Sequence, residues 1–128
     1  MANTIYRIWG KVCGKDKVIY IGRTKQPLQN RLRGHFFGHP MHRKVDVSEV
    51  TRVDYAEFET VANMYVVEVL LINIYKPILN HDDKSLDEMT LPITLDIDWR
   101  EWVNDKLANK WRKKLAIIDG ADMDGNMS

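Results

Sequence analysis

The sequence has little of several features that define whole classes of protein. A single cysteine, Cys13, excludes an internal disulfide, so a reducing compartment such as the cytoplasm is expected. The longest apolar run, residues 61–75, contains Glu68 and is too short to span a bilayer, and residues 1–4 show no secretory pattern. Repeats and low-complexity tracts are also missing. What is left is one compact domain with a short extension, which 128 residues can form without disulfides.

Acidic residues are nearly absent from the first 44 positions. That part has ten lysines and arginines and one acid, Asp16, for a net charge of +9, whereas the remainder has a net charge of −8. The asymmetry favours a positive surface for an anionic partner, and the phosphate backbone of nucleic acid is the commonest such partner. The alternative is that the two halves neutralise each other within one fold.

The N-terminal pattern predicts a β-hairpin. Residues 4–9 and 17–21 are rich in β-branched and aromatic side chains, and they flank a segment rich in turn formers. With the loop centred near Cys13, we expect Tyr6 and Tyr20 to lie directly opposite each other on one face.

The later segments predict an α+β fold. A short helix begins near Pro27 and ends before Gly38, and residues 49–58 supply a third strand. Residues 61–75 predict a helix whose apolar residues cover nearly the whole circumference, so it should be buried on most sides. The expected fold is a small three-stranded antiparallel sheet flanked by helices, with an additional C-terminal helix. Its predicted parts are a domain at 1–81, a linker at 82–97, a helix packed on the domain at 98–119 and a disordered tail at 120–128.

Glu68 is the only formally charged residue in the run 61–75. A carboxylate is rarely buried unless it is paired with a cation or bound to metal. Two interpretations stay open: a structural ion pair with one of the nearby arginines, and a cation ligand at the floor of a cleft. A single carboxylate suits Mg²⁺, which keeps most of its waters and takes further ligands from substrate phosphate.

Other patterns that would indicate chemistry are weak. His35, His39 and His42 form a loose cluster that, with Cys13, imitates a zinc site, but the spacing matches no zinc finger and no second cysteine exists. Gly22 and the Arg-Thr-Lys that follows it lack the spacing of a phosphate-binding loop.

The order of the motifs is more specific than any one of them. The series comprises Ile5-Tyr6, Tyr20-Ile21-Gly22, Arg31 with His35 one helical turn later, Glu68, and a Tyr-Lys-Pro-Ile-Leu-Asn ending at Asn80. From about Thr4 to Asn80 it resembles the GIY-YIG endonuclease family. The resemblance implies a metal-dependent DNA endonuclease, which is a phosphodiesterase, with one active site per domain. It also implies a bacterial, phage or mobile-element context.

The resemblance implies a role for each matched residue. Tyr6 and Tyr20 would position and activate the attacking water, and His35 would assist proton transfer. Arg31 would hold the scissile phosphate and stabilise its charge in the transition state. Glu68 would bind one divalent ion, Mg²⁺ or Mn²⁺.

Two further matches are expected to shape the site: Gly22 would let the backbone approach closely, and Asn80 would brace the surroundings. The chain departs from the family pattern at Thr4, which replaces the glycine of the first motif, and near Lys17, which lies one residue further from the second motif than usual. Additional contacts to DNA are expected from Arg23, Lys25, Arg33, His39, His42 and Arg43.

Other functions and assemblies stay open. The chain could be a catalytically inactive module of this type that only binds nucleic acid, or an inhibitor or adaptor that contacts another protein. The retained polar residues argue against a pure binder, because binding alone does not require a buried glutamate. One active site per chain means that a double-strand break needs a homodimer or two nicks, and a partner protein could direct cleavage.

Overall fold

The structure, a computed structural model, describes residues 3–37 and 49–102. Its strands form one antiparallel sheet in the order β2-β1-β3-β4, so the α+β class is confirmed and the sheet has four strands where three were expected. The elements in chain order are β1 (Asn3–Val12), β2 (Lys15–Thr24), α1 (Leu28–Phe37), β3 (Val50–Phe58), α2 (Val61–Tyr75) and β4 (Arg100–Glu101).

The hairpin of β1 and β2 turns more tightly than its sequence predicts. Val12 pairs with Lys15, so the turn contains only Cys13 and Gly14. Both have positive φ, 53° and 79°, which is the backbone of the two-residue turns that match the twist of paired strands. The strands therefore extend into the segment that composition assigns to the loop.

A bulge in β2 changes the pairing of the two motif tyrosines. Ile8 pairs with Tyr20 while Trp9 pairs with Val18, which leaves the residue between them, Ile19, without a partner on β1. The expected pairing of Tyr6 with Tyr20 is wrong, because Tyr6 pairs with Gly22. The bulge nevertheless brings both phenols to one face, where their ring centroids are 6.3 Å apart as diagonal neighbours.

The sheet is covered on both faces. On the α1 side the buried cluster comprises Tyr6, Ile8, Ile19, Leu32, Phe36, Val50 and Val53. On the α2 side it comprises Ile5, Val18, Ile21, Met64, Leu71 and Ile72. Because α1 and α2 lie on opposite faces, a site that uses both helices must lie at an edge of the sheet. Of the two edge strands, β2 and β4, it is β2 that carries Tyr20 and Gly22.

The bounds of α2 are those that the sequence predicts, but its burial differs from the prediction. The Thr60 side chain accepts from the Asn63 backbone N–H at 3.0 Å, and Lys76 in the left-handed conformation ends the helix before Pro77. The expected burial on most sides is wrong, since Val66 is 61% exposed. The helix packs on the sheet through one face only, and within residues 3–37 and 49–102 its opposite face stays open. No described helix is long and apolar enough to cross a membrane.

A buried ion pair joins β1 to β3 on the face of the sheet that α2 covers. Arg7 donates to both carboxylate oxygens of Asp54, at 2.8 and 2.6 Å, and the Trp9 indole also donates to Asp54. The ring of Trp99 lies over the Arg7 guanidinium at 3.8 Å. The segment that follows α2 is therefore docked on the sheet by a cation–π contact.

The expected start of a helix at Asp98 is wrong. Arg100–Glu101 form β4, which pairs with Tyr55 and Asp54, and the Trp102 backbone N–H donates to the Val53 carbonyl at 2.9 Å. The spacing of apolar residues favoured a helix, but the open edge of β3 offers backbone hydrogen bonds that select an extended chain. Residues 103–128, which include the rest of that expected helix and the tail, lie outside the described residues.

Candidate active site

Several of the motif residues line one cleft of about 580 Å³ beside β2. Its walls include Tyr20 and Arg23 from β2, Arg31 from α1, Glu68 from α2 and Asn80 from the chain that follows. Four segments of the chain thus contribute to one concave surface. This is the usual form of a binding or catalytic site.

Tyr6 lies beneath this cleft and is fully buried. Its hydroxyl is 2.6 Å from Nε2 of His35, and Nε of Arg31 donates to the hydroxyl oxygen at 3.4 Å. Burial, followed by the nearby Tyr20, raises the pKa of Tyr6 well above its usual value, so the phenol keeps its proton at neutral pH. The described geometry therefore makes Tyr6 the group that holds Arg31 and His35 from behind the cleft wall.

Gly22 is required by the position of the Tyr6 ring. A Cβ at residue 22 would lie 2.5 Å from Cζ of Tyr6 and 3.0 Å from Cε2 of Tyr20. These separations are too short for a side chain, and the phenol has no room to retreat because it is fully buried. The expected close approach at Gly22 is thus an approach of the two tyrosines to the backbone of β2.

Tyr20 is the phenol that faces the cleft. Its ring packs edge-on against His35, with the centroids 5.3 Å apart. Burial raises the pKa of Tyr20, and the positive charge of Arg31 opposes that shift only in part. Tyr20 is therefore a neutral hydroxyl at physiological pH, able to donate to a phosphate oxygen or to orient a water molecule.

Glu68 is only 5% exposed, and Arg23 forms an ion pair with its Oε1. The ion pair that the sequence left open is therefore present. Burial raises the pKa of Glu68 despite the opposing effect of Arg23. Among the described residues no protein group bonds to Oε2, so that oxygen keeps its lone pairs for a further partner.

Arg23 is held from two sides. Besides its ion pair with Glu68, its guanidinium lies 4.1 Å from the ring centre of Tyr65 on α2. Burial disfavours the charged form of Arg23 and so lowers its pKa. The hydrogen bond and the negative charge of Glu68 outweigh this effect, and the pKa of the guanidinium is raised. Tyr65 is 46% exposed, so one side of the stack is open to solvent. The sequence did not point to Tyr65, because an aromatic on an apolar helix carries no signal of such a role.

The donor set around Glu68 fits a hydrated divalent ion better than a metal held by protein alone. Within the described parts of the chain, no group of three or more His, Cys, Asp or Glu side chains is placed to hold a metal ion. A single carboxylate oxygen that faces an open cleft leaves the other positions for water and substrate phosphate, which is how Mg²⁺ is commonly bound.

The charge of the cleft wall supports the same fit. The described residues that line it include three carboxylates, Glu68, Asp82 and Asp83, and two guanidiniums, Arg23 and Arg31. This formal charge of −1 disfavours a phosphodiester, whereas a divalent cation would change it to +1.

Asn80 closes the outer edge of β2 beside the cleft. Its Oδ1 accepts from the Ile21 backbone N–H at 2.9 Å, and its Nδ2 donates to the Ile21 carbonyl at 2.8 Å. The adjacent Leu79 N–H donates to the Ile19 carbonyl at 3.0 Å. One side chain thus occupies the position of a neighbouring strand and holds the backbone between Tyr20 and Gly22.

No model of a known protein family matches the chain, and no solved structure matches it. The GIY-YIG resemblance therefore rests on the motif residues of the sequence.

The structure adds Asp82 and Asp83 to the cleft wall. The sequence analysis assigned both residues to a linker. Their loop is anchored to α2: Asn73 donates to the Asp83 carbonyl at 2.8 Å and accepts from the Ser85 N–H at 2.8 Å. Lys76 donates to two further carbonyls of the loop. The only available signal was adjacency to Asn80, because acids in a turn-rich segment are ordinarily solvated.

The residues expected to contact DNA are divided among three places. Arg23 lies in the cleft and is paired with Glu68. Lys25 and Arg33 are exposed and are not part of the described cleft wall. His39, His42 and Arg43 lie outside the described residues.

Proposed function

We propose that this protein is a metal-dependent endonuclease of the GIY-YIG type that hydrolyses phosphodiester bonds in DNA. The observation that carries the proposal is the convergence of Tyr20, Arg31 and Glu68 on one cleft, in the motif order of that family. A phenol, a guanidinium and a buried carboxylate supply an orienting group, a phosphate ligand and a cation ligand within one concave surface.

Arg31 is the proposed ligand of the scissile phosphate. Its Nε is occupied by the Tyr6 hydroxyl, and this hydrogen bond raises the pKa of the guanidinium, which is charged at any working pH. A side chain held at Nε is preorganised, so the rest of its fork can face the charge that develops on the phosphate oxygens in the transition state.

The phenols and the imidazole have separate proposed roles. Tyr20, neutral and facing the cleft, orients the water whose oxygen forms the new bond to phosphorus while the bond from phosphorus to the 3′ oxygen breaks. The water gives up its proton to solvent, and the 3′ oxygen takes one from solvent. Tyr6 and His35 lie beneath the cleft, where the Tyr6 hydroxyl contacts both His35 and Arg31 and so fixes the position of the guanidinium. If Tyr6 donates to Nε2, then His35 is the neutral tautomer with its proton on Nδ1.

Glu68 would hold the divalent ion, Mg²⁺ or Mn²⁺, through its buried carboxylate. Such an ion, when bound, lowers the pKa of water and offsets the negative charge of the leaving oxygen. Glu68 must be ionised for this role, and its raised pKa means that protonation removes the ligand at a higher pH than for an ordinary carboxyl.

The test is nicking of supercoiled plasmid with Mg²⁺ or Mn²⁺, with and without a chelator. We expect cleavage that the chelator and Glu68→Gln both abolish, while Glu57→Gln, an exposed acid on β3, cleaves normally. Arg31→Ala should lower turnover by roughly 10²–10³-fold with little change in substrate affinity, as for loss of one transition-state donor. Its control is Arg100→Ala, an exposed arginine on β4.

One observation favours a second candidate, a catalytically inactive nucleic-acid-binding or protein-interaction module of the same fold. The Arg23–Glu68 ion pair is the expected state of a buried glutamate that never receives a cation. A shift of DNA in a native gel without metal-dependent nicking would establish the binding module and overturn the enzyme. If the protein neither shifts DNA nor nicks it, the protein-interaction module is the function that remains.

A further inference from the structure

The ion pair between Arg23 and Glu68 has partners of very different burial. The Glu68 side chain is 6% exposed, whereas that of Arg23 is 35% exposed. A carboxylate this deeply buried needs a positive neighbour, because an unpaired buried charge is strongly destabilising. Arg23 is the only residue in the described ranges that supplies one to Glu68.

A cation on Glu68 would compete with Arg23 for the same carboxylate. A guanidinium and a divalent ion on one carboxylate repel each other in a partly desolvated site. The ion would meet Oε2 while the guanidinium stays on Oε1, so each cation weakens the binding of the other and the ion binds more tightly once the guanidinium leaves. Since Glu68 is fixed on a helix and Arg23 is at the end of a long flexible side chain near solvent, Arg23 is the group that moves.

Arg23 also has a contact that does not depend on Glu68. Its guanidinium already lies 4.1 Å from the ring centre of the half-exposed Tyr65, a surface that attracts a cation without needing the carboxylate. The cleft that it lines also contains Arg31, the proposed phosphate ligand. A planar guanidinium released there can bind phosphate oxygens through two parallel hydrogen bonds.

We propose that in the free protein Arg23 pairs with Glu68 where a divalent ion would bind. When the ion binds, the Arg23 side chain moves and pairs with a substrate phosphate oxygen. This inference rests on the proposed function, and it assigns Arg23 a double role. The exchange keeps Glu68 compensated at every stage and couples ion binding to phosphate binding, because each one releases the partner that the other needs.

The first test measures Mn²⁺ binding by calorimetry without DNA for wild type, Arg23→Gln, Arg100→Gln and Glu68→Gln. We expect Arg23→Gln to bind Mn²⁺ about tenfold more tightly or better, a factor that corresponds to about 1.4 kcal/mol. Arg100→Gln should match wild type, and Glu68→Gln should not bind. In the presence of Ca²⁺, Arg23→Gln should bind oligonucleotide DNA more weakly than wild type.

The second test has its main readout in the wild-type protein, so that readout is kept even where a variant fails to fold. The Nε–H resonance of Arg23, assigned by NMR, should move when Mg²⁺ is added to wild type and stay in place in Glu68→Gln. If Mn²⁺ binds wild type at Glu68, yet Arg23→Gln binds it no more tightly or the Arg23 resonance does not respond, the exchange is wrong and the nuclease proposal stands. If wild type binds no divalent ion, both proposals fall.

Discussion

At the scale of single residues, the site depends on the packing space and the charged partners that each buried group has around it. Tyr6 has no exposed surface, and Gly22 provides the space for its ring. Glu68 has one partner at Oε1 and a raised pKa because burial outweighs that partner. Both features make direct predictions about stability that do not require knowledge of the substrate.

Gly22→Ala should lower the free energy of unfolding by about 1–3 kcal/mol, because the new Cβ overlaps a phenol that cannot move aside. Urea denaturation measures this loss. The matched control is Gly34→Ala on α1, where a Cβ meets nothing within 4 Å and the change should stabilise by about 0.5–1 kcal/mol. Equal effects at the two glycines would contradict the packing of Tyr6 over β2.

Without divalent ions, Glu68 should make stability fall as the pH rises. Its pKa in the folded protein is raised above the usual value of 4.5, so between these two values the folded state holds a proton that the unfolded state has released. The contribution is fully present below pH 4.5 and is lost as the pH rises through the folded-state pKa. Denaturation of wild type and Glu68→Gln across pH 3–8 measures the difference, and parallel profiles would show that burial does not control this carboxyl.

At the scale of elements, the edge of β2 is completed by a side chain and a loop, where residues 3–37 and 49–102 supply no further strand. Asn80 pairs with the N–H and the carbonyl of Ile21, and Leu79 pairs with Ile19. These bonds hold the strand segment that carries Tyr20, Gly22 and Arg23. The edge is thereby closed against pairing with other chains and kept in register for the cleft.

Asn80→Ala should cost about 1–3 kcal/mol of stability, because it leaves two buried backbone groups without partners. It should also speed hydrogen exchange at the Ile21 amide more than at the amides of β3. Asn80→Asp keeps an acceptor for that amide and should retain part of the protection. Asn63→Ala, at an exposed position of α2, should change stability by less than about 0.5 kcal/mol, and an equal loss there would remove the special role of Asn80.

At the scale of the whole molecule, the chain after α2 crosses from the cleft to the far edge of the sheet. Asp82 and Asp83 line the cleft, Leu95 and Ile97 pack on the α2-side cluster, and β4 extends the sheet beyond β3. This segment has little regular structure but is attached at both ends. It therefore behaves as part of the domain, and the cleft depends on it.

Trp99→Ala should loosen this attachment and lower stability by about 1–3 kcal/mol, since the indole covers the guanidinium of the buried Arg7–Asp54 pair. Leu91→Ala, in the same segment but 66% exposed, is the control and should stay within about 0.5 kcal/mol of wild type. Thermal denaturation compares the two. A Trp99 variant as stable as the Leu91 variant would show that the segment is only loosely associated.

Local pattern was sufficient for much of the architecture. The bounds of α2 follow from Thr60, Lys76 and Pro77, which act on their own neighbours along the chain. These helix limits were predictable because they depend on side chains within a few positions. The burial of Glu68 was expected from its apolar neighbours in the sequence, but those neighbours include Val66, which is 61% exposed, so the packing of α2 on the sheet decided which of its faces is buried.

Tertiary contacts decided the rest. The bulge at Ile19, the pairing of Arg23 with Glu68 across 45 residues and the pairing of β4 with β3 exist only once the sheet is assembled. The exposure of one face of α2 likewise depends on how much of the chain is available to cover it. Sequence alone pointed to candidate residues for the site, whereas the fold determined which of them touch, because long-range pairing is not encoded by any periodicity along the chain.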